Sequence, residues 1–569
     1  MVVVGPSPTA PQDSRRSFKA RFQLSLFPRQ PACTSSIFSL AGTSISLPDD
    51  LLREIIKNLA PIDILSASIT SRHMRELLIP VLYETVHLRS SRSCESGLRM
   101  LSTRQHLCSR IHKLAVRPNY YLAWPTRDKL LSDDWVAKMI TALAKSLTNL
   151  RAFDWDGLEM PPNRLWRTLR NSCPELKRIY SNVGTRPLDP ESELFKFRDL
   201  TNFSMSIIFL HMKISPMQLW DMILNRCPNL RELALCSFSP SYRLFNINRV
   251  TEGRWPALSS LTVGSFGYDN EFNITGLPAA AFAEFLAAHP TLTFLRLAWN
   301  FKYWISPKTM VDLSFPPKLD SFAGVVQQLP RGGCSTLTSL DLTCEPLYSS
   351  RAPTVCTALR ALPALTKLEL WVHLPKPRAG HEEFFHDLWS STPGLEDLHF
   401  MCTTAFGKKP LTELARALRL LPYLHTFALT KGYCYDDENM KSSALRIFTT
   451  LMQRPCAVAT QTGQVQSKDS TPMESVSLRL NQLSIRWARP TYRNHLKQEG
   501  VYRRIFGPLS PCDRYDHERG MECYGMMVDA WERGLHPVGG AFERCYRFPL
   551  PFPQATPEVE RRKKDSSID

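Results

Sequence analysis

The chain has no Cys-x-x-Cys pair among its 15 cysteines. That excludes a zinc ribbon and a thioredoxin-like redox motif. Single scattered cysteines instead fit small buried hydrophobes in a reducing compartment, so a cytoplasmic and/or nuclear location is expected. No uninterrupted apolar run reaches 18 residues, so no helical membrane span and no membrane partner are expected. A glycine-rich phosphate loop and a Gly-x-Ser-x-Gly elbow are also missing, and His and Asp scatter without a defensible triad. Catalysis and cofactor binding are therefore not expected. Lys and Arg outnumber Asp and Glu by 70 to 53, a formal net charge of +17. The excess is spread along the chain with no basic cluster or nucleic-acid module, so nucleic acid is not an expected partner, although an acidic surface is favoured.

What the chain does have is a repeat. An apolar residue, two variable ones, an apolar residue, one variable and another apolar one recur mostly every 24 to 30 positions. The frames are Ile111-Leu114-Val116, Leu150-Phe153-Trp155, Leu176-Ile179, Leu200-Phe203-Met205, Leu230-Leu233-Leu235 and Leu258-Leu261-Val263. They continue through Leu292-Leu295-Leu297, Leu319-Phe322, Leu337-Leu340-Leu342, Leu365-Leu368-Leu370, Leu395-Leu398-Phe400, Leu424-Phe427-Leu429 and Leu480-Leu483-Ile485. This is the period and core of the leucine-rich repeat. The alternating triplet is a short strand, and the stretch before many of the strands has helical spacing. A helix-then-strand unit cannot bury its apolar face alone, whereas stacked units share one core and line their strands up in a parallel sheet. The Asn that often follows the strand is mostly absent, so the repeats are irregular.

Ahead of the repeats, Ser44 to Leu88 reads as three short helices. Pro48 suits a first helical turn, and Asp49, Asp50 and Glu54 sit near the positive end of the helix dipole. Leu51, Leu52, Ile55, Ile56 and Leu59 recur at helical spacing. Pro61 is expected to stop that helix, Asp63 to open a second carrying Ile64, Leu65, Ala67 and Ile69, and Pro80 to end a third. So small a core is marginal alone and needs cover from the next domain or from a partner.

These residues carry a resemblance. LPDDLLREIIKNL, a Pro-Ile-Asp-Ile-Leu turn and ITSRHMRELLIPVLYETVHL resemble the F-box, and the closing Pro-Val-Leu-Tyr-Glu-Thr-Val has the form common in fungal members. The likeness covers about 45 of 569 residues. It implies docking onto a Skp-type adaptor, and through it a cullin, in an SCF-type ubiquitin ligase. Carried over by position, the adaptor-facing residues would be Leu47, Pro48, Leu51, Leu52, Ile55 and Ile64. The third helix departs from the family at Ile69 to Met74, where many members have a Cys or Val and an aromatic.

The expected fold class is α/β: a small three-helix F-box followed by an irregular leucine-rich-repeat solenoid with a parallel inner sheet and outer helices. The expected domains are a disordered extension (1–43), the F-box (44–88), the solenoid (89–486, with a flexible insertion at 457–472) and a C-terminal cap with a charged tail (487–569). Pro6, Pro8, Pro11, Pro28 and Pro31 would interrupt a targeting helix in the extension. The residues alternating with the buried ones should face outward from the inner sheet, among them Phe294, Arg296, Glu369, Trp371 and His399. Exposed aromatics and Arg are the usual anchors of an interface, so these are candidate contacts for an unknown protein substrate, unless they pack on one another or on a C-terminal segment. His381 and His386 invite a metal-hydrolase reading. Their i, i+5 spacing separates them by about 140° around a helix, which does not suit a shared metal. The expected function is a non-catalytic substrate adaptor, with a non-degradative interaction scaffold as the alternative.

Overall fold

A computed structural model describes residues 49–59, 61–88, 90–119, 131–184, 186, 188–207, 217–237, 247–265, 279–297, 315–329, 333–374, 381–402, 407–431, 443–444, 446–447, 450–451, 480, 482–488 and 497–503. The proposed extension (1–43), insertion (457–472) and most of the C-terminal cap lie outside these residues. The chain divides into two compact units, Met1–Ile64 and Leu65–Asp569.

The first unit holds α1 (Asp49–Lys57) and the start of α2 (Pro61–Ser68). Asp49 and Asp50 lie in the first turn of α1, as the dipole favours. Its last turn tightens, with Asn58 N–H donating to the Ile55 carbonyl at 3.0 Å and Leu59 N–H to that of Ile56 at 3.1 Å. Pro61 does not merely end α1. It opens α2, two residues before the expected start, because its fixed φ suits a first turn.

The second unit begins within α2 and continues into α3 (Arg72–Glu84). The Ser71 hydroxyl caps α3 by accepting from Met74 N–H at 3.1 Å. Contrary to expectation, α3 runs through Pro80. The carbonyl that loses its partner belongs to the exposed Glu76, so water can take the place of the missing N–H.

One sheet then joins the described strands of this unit. Its strands are β1 (Thr85–Leu88), β2 (Lys113–Val116), β3 (Ala152–Trp155), β4 (Arg178–Val183), β5 (Asn202–Ile207), β6 (Glu232–Ser237), β7 (Ser260–Ser265) and β8 (Phe294–Leu297). They continue as β9 (Ser321–Ala323), β10 (Ser339–Tyr348), β11 (Lys367–His373), β12 (Asp397–Cys402), β13 (Thr426–Lys431), β14 (Gln482–Ala488) and β15 (Lys497–Arg503). Spatial order equals chain order. The first fourteen strands are parallel, and β15 returns antiparallel along β14. Every repeat frame read from the sequence became a strand of this sheet. The fold is therefore an open α/β solenoid.

The apolar register carries from strand to strand, with one shift where β10 meets β11 between Leu342 and Leu347. Val86, Leu114, Phe153, Ile179, Phe203, Leu233, Leu261 and Leu295 pair in one row. Phe322, Leu340, Leu368, Leu398, Phe427 and Leu483 continue it. All but Val86 are buried. A backbone fork sets each step. The His112 carbonyl accepts the N–H groups of both Arg151 and Ala152, the Arg151 carbonyl those of Lys177 and Arg178, and so on to Glu396 with His425 and Thr426, at 2.7 to 3.2 Å. Helices cross over on one side and press their apolar faces on the strands. In helix Glu382–Ser390, Phe385 and Trp389 meet Phe400 edge-on, with ring centroids 5.8 and 6.1 Å apart.

Phe400 lies at the centre of that contact. Phe400→Ala should lower the unfolding free energy by about 3–5 kcal/mol, read by urea denaturation. A loss below about 1 kcal/mol would show that the aromatic layer does not bind helix to strand.

Candidate docking faces

In α1, exposure changes across the apolar arc. Leu51 is 53% exposed and Ile55 47%, while Leu52 is half-buried and Ile56 only 3% exposed. On a helical wheel these four span about 140°, so the apolar arc is wider than the side it buries. Just past the helix Leu59 is 38% exposed. Among the described residues, large exposed hydrophobics are Leu51, Ile55, Leu59, Leu65, Ile69, Met217, Tyr348 and Tyr423. Five of these eight fall within a stretch of some twenty positions, where single scattered ones would be normal.

Two of the six residues assigned to the adaptor, Leu47 and Pro48, lie outside the described residues. Leu51, Leu52 and Ile55 sit on the arc just described. Ile64 needs correction: it is 8% exposed and faces the interior, whereas the next residue, Leu65, is 51% exposed and Ile69 is 70% exposed. A helix of two turns has apolar residues on both sides here, and spacing alone does not say which side is covered.

The other face is the side of the sheet opposite the helices. There Asp154, Tyr180, Ser204, Ala234, Thr262, Arg296, Ala323, Asp341, Glu369, His399, Ala428 and Ser484 pair strand to strand in a second row. Arg296 and Trp371 are each 2% exposed, which corrects the expectation that they stand open as anchors. In-register strands lie about 4.8 Å apart, so a large neighbour in the row can cover Trp371, whereas Arg296 stands between Thr262 and Ala323. Trp371 pairs with Met401. Phe294, Glu369 and His399 are half-buried. β3 and β5 are buried at every position, while β12 and β13 alternate half-buried with buried. The sheet face is thus more accessible toward its two ends, at β1 and β2 and again at β12 and β13, than across β3 to β5.

Two of the expected residues are joined there. His399 Nδ1 lies 3.2 Å from Glu369 Oε2, and its Nε2 lies 2.9 Å from the Thr430 hydroxyl. Lys367 Nζ is 3.4 Å from the other Glu369 oxygen. Burial opposes ionisation of Glu369, but His399 and Lys367 outweigh it and hold the carboxyl down. One strand away Asp341 is 4% exposed. Burial and the neighbouring Glu369 charge push its carboxyl up to about 6, although Arg296 and two hydrogen bonds from Thr343 (2.8 Å from N–H, 2.7 Å from the hydroxyl) favour the charge. Sequence spacing placed these residues in adjacent repeats, but it did not signal Asp341 as a perturbed acid.

His381 and His386 do not converge. His381 precedes helix Glu382–Ser390 and is buried, its N–H donating to Glu413 Oε2 at 2.9 Å. The His386 side chain is 63% exposed. Glu382 and Glu383 occupy the first turn of that helix, as its dipole favours.

Residues 45–79 match the F-box domain family. F-box domains bind Skp-type adaptors and so connect to a cullin. An F-box supports a general role as a non-catalytic substrate adaptor of SCF ubiquitin ligases. No curated protein matches the chain. Among solved structures, a chain of a TLR13–ssRNA13 complex matches at 13% identity with a TM-score of 0.25, over 59% of this chain. The matched part is 53% of that chain, about half its length.

The Asp341 environment has a pH consequence. Its folded pKa lies above the ordinary 3.8, so the fold holds this proton more tightly than the unfolded chain does. The stability it lends is complete below about pH 4 and is lost as pH rises through about 6. Asp341→Asn keeps an acceptor for Thr343 and does not ionise. It should be more stable than wild type at pH 7.5 and lose that advantage at pH 4, as measured by denaturation at the two values. A stability difference independent of pH would contradict the assignment.

Proposed function

We propose that this chain is the substrate-recognition subunit of an SCF-type E3 ubiquitin ligase. The F-box docks on a Skp-type adaptor and the repeats hold a protein substrate. One observation carries the reading: the segment that matches the F-box family leaves Leu51 and Ile55 as an exposed apolar stripe on α1. An exposed stripe on a marginal helical unit is stabilised by a partner that covers it. The chain would act by holding its substrate beside the ubiquitin-transfer enzyme, raising the effective concentration of the acceptor.

The face we assign to substrate is the half-buried C-terminal part of the sheet, where Glu369, His399 and Thr430 form one hydrogen-bonded group. The chain works in the cytoplasm or nucleus, in a reducing setting. In support, the eight described cysteines are free, and seven are buried. Burial pushes the thiols of Cys94 and Cys173 up to about 12, away from the reactive thiolate. The Pro80 to Val86 closing run supports a fungal-type member.

The test is co-purification with a Skp-type adaptor. Placing two carboxylates on the stripe with Leu51→Asp/Ile55→Asp should cost several kcal/mol of binding. Wild type should retain the adaptor and the still-folded double variant should lose it. Equal retention, or no adaptor with either protein, would overturn the reading.

A further inference from the structure

A further cleft lies where the chain enters β4 and β5. It is a cleft of about 500 Å³, a size typical of ligand pockets. Arg170, Lys177, Lys196, Arg198 and Arg226 line it, opposed among the lining residues by Asp199 alone. Arg170, Lys196 and Arg226 come from successive crossovers, each about one repeat from the next. The unbroken register of β4, β5 and β6 therefore gathers on one edge cations that are dispersed in the sequence.

Three of the five are already oriented by carboxylates at the margin. Arg170 and Lys196 share Glu193, at 2.8 and 3.0 Å, and Arg226 reaches Asp221 at 2.7 Å. Lys177 is half-buried and Arg198 exposed. Neither has a carboxylate within 4 Å among the described residues. Asp199 sits in left-handed backbone with φ at 55°, where its N–H donates to the Arg226 carbonyl at 2.8 Å. That bond ties the Arg198–Asp199 corner to the next repeat. The walls are thus held in place, and the charges of Lys177 and Arg198 are not taken up by a direct ion pair, although the Asp221 carboxylate feels that of Arg198.

We infer that this cleft binds phosphate groups, with Lys177 and Arg198 as the principal contacts and Arg170, Lys196 and Arg226 setting the field. Phosphate suits the arrangement because a guanidinium fork and an ammonium can share its oxygens, whereas a single carboxylate offers one edge. The group could be presented as a free polyphosphate or on a phosphorylated side chain. The second source rests on the substrate-receptor reading, but phosphate binding itself does not.

The experiment titrates the full-length chain at about 0.15 M salt, where non-specific pairing is screened. One probe is inorganic tripolyphosphate, followed by calorimetry. The other is a degenerate phosphoserine peptide library beside its unphosphorylated counterpart, followed by anisotropy. Lys177→Gln/Arg198→Gln should weaken binding of the preferred probe at least about tenfold, the scale of one charge-assisted hydrogen bond, with melting unchanged. Arg198→Lys should retain part of it. Tripolyphosphate binding alone supports a free ligand, and selective binding of the phosphorylated library supports a modified partner. Binding of neither probe, or equal binding by the double variant, would overturn the inference. No adaptor enters the assay, so its outcome is separate from that of the docking test.

Discussion

The structure depends on one repeated constraint: the strand entering each repeat must land in register with the one before it. Two features impose this together. The inward row from Leu114 to Leu483 gains burial only when each residue lies beside its counterpart. The carbonyl fork at each strand entrance, such as His112 with Arg151 and Ala152, fixes the same register through the backbone. A slip by one residue would turn the whole apolar row to the wrong side of the sheet. Side chains that do not contribute to the core are therefore also placed with repeat-to-repeat regularity.

That regularity gives the molecule its surfaces. On the sheet it produces the polar row in which Asp341, Glu369 and His399 are neighbours. At the strand entrances it gathers the cations of the cleft. The sheet also has an end to protect, since a bare final strand would present unpaired backbone groups. β15 covers one edge of β14 by antiparallel pairing. The helical segment follows other rules. Its helices are short, and α1 carries more apolar surface than its own surroundings cover.

The repeat frames were legible because strand burial needs apolar residues at fixed spacing, and nothing else in the chain keeps that spacing for so long. β1 was passed over although Tyr83-Val86-Leu88 has the same frame. That frame follows directly on the third helix, with no separate helical stretch ahead of it to mark a repeat. β15 carries no apolar period at Lys497 to Gly500, and it forms because a neighbouring edge is open. The burial of Arg296 and Trp371 was not legible, because it depends on how closely adjacent rows pack. The exchange of Ile64 for Leu65 as the exposed residue shows the limit of helical spacing in a two-turn helix. The F-box resemblance lies in residue types and their spacing, whereas which side of α1 is open depends on packing.

On the proposed function, an adaptor completes the apolar stripe of the F-box segment while the sheet stays free for another partner. Amide hydrogen exchange of the chain, alone and with a Skp-type adaptor, tests it directly. Amides of Asp49 to Ile69 should exchange rapidly in the free chain, because so small a helical unit opens easily. They should become protected in the complex, with β11 to β13 unchanged. Protection that is absent from α1, or that falls instead on β11 to β13, would show that the adaptor does not dock on this stripe.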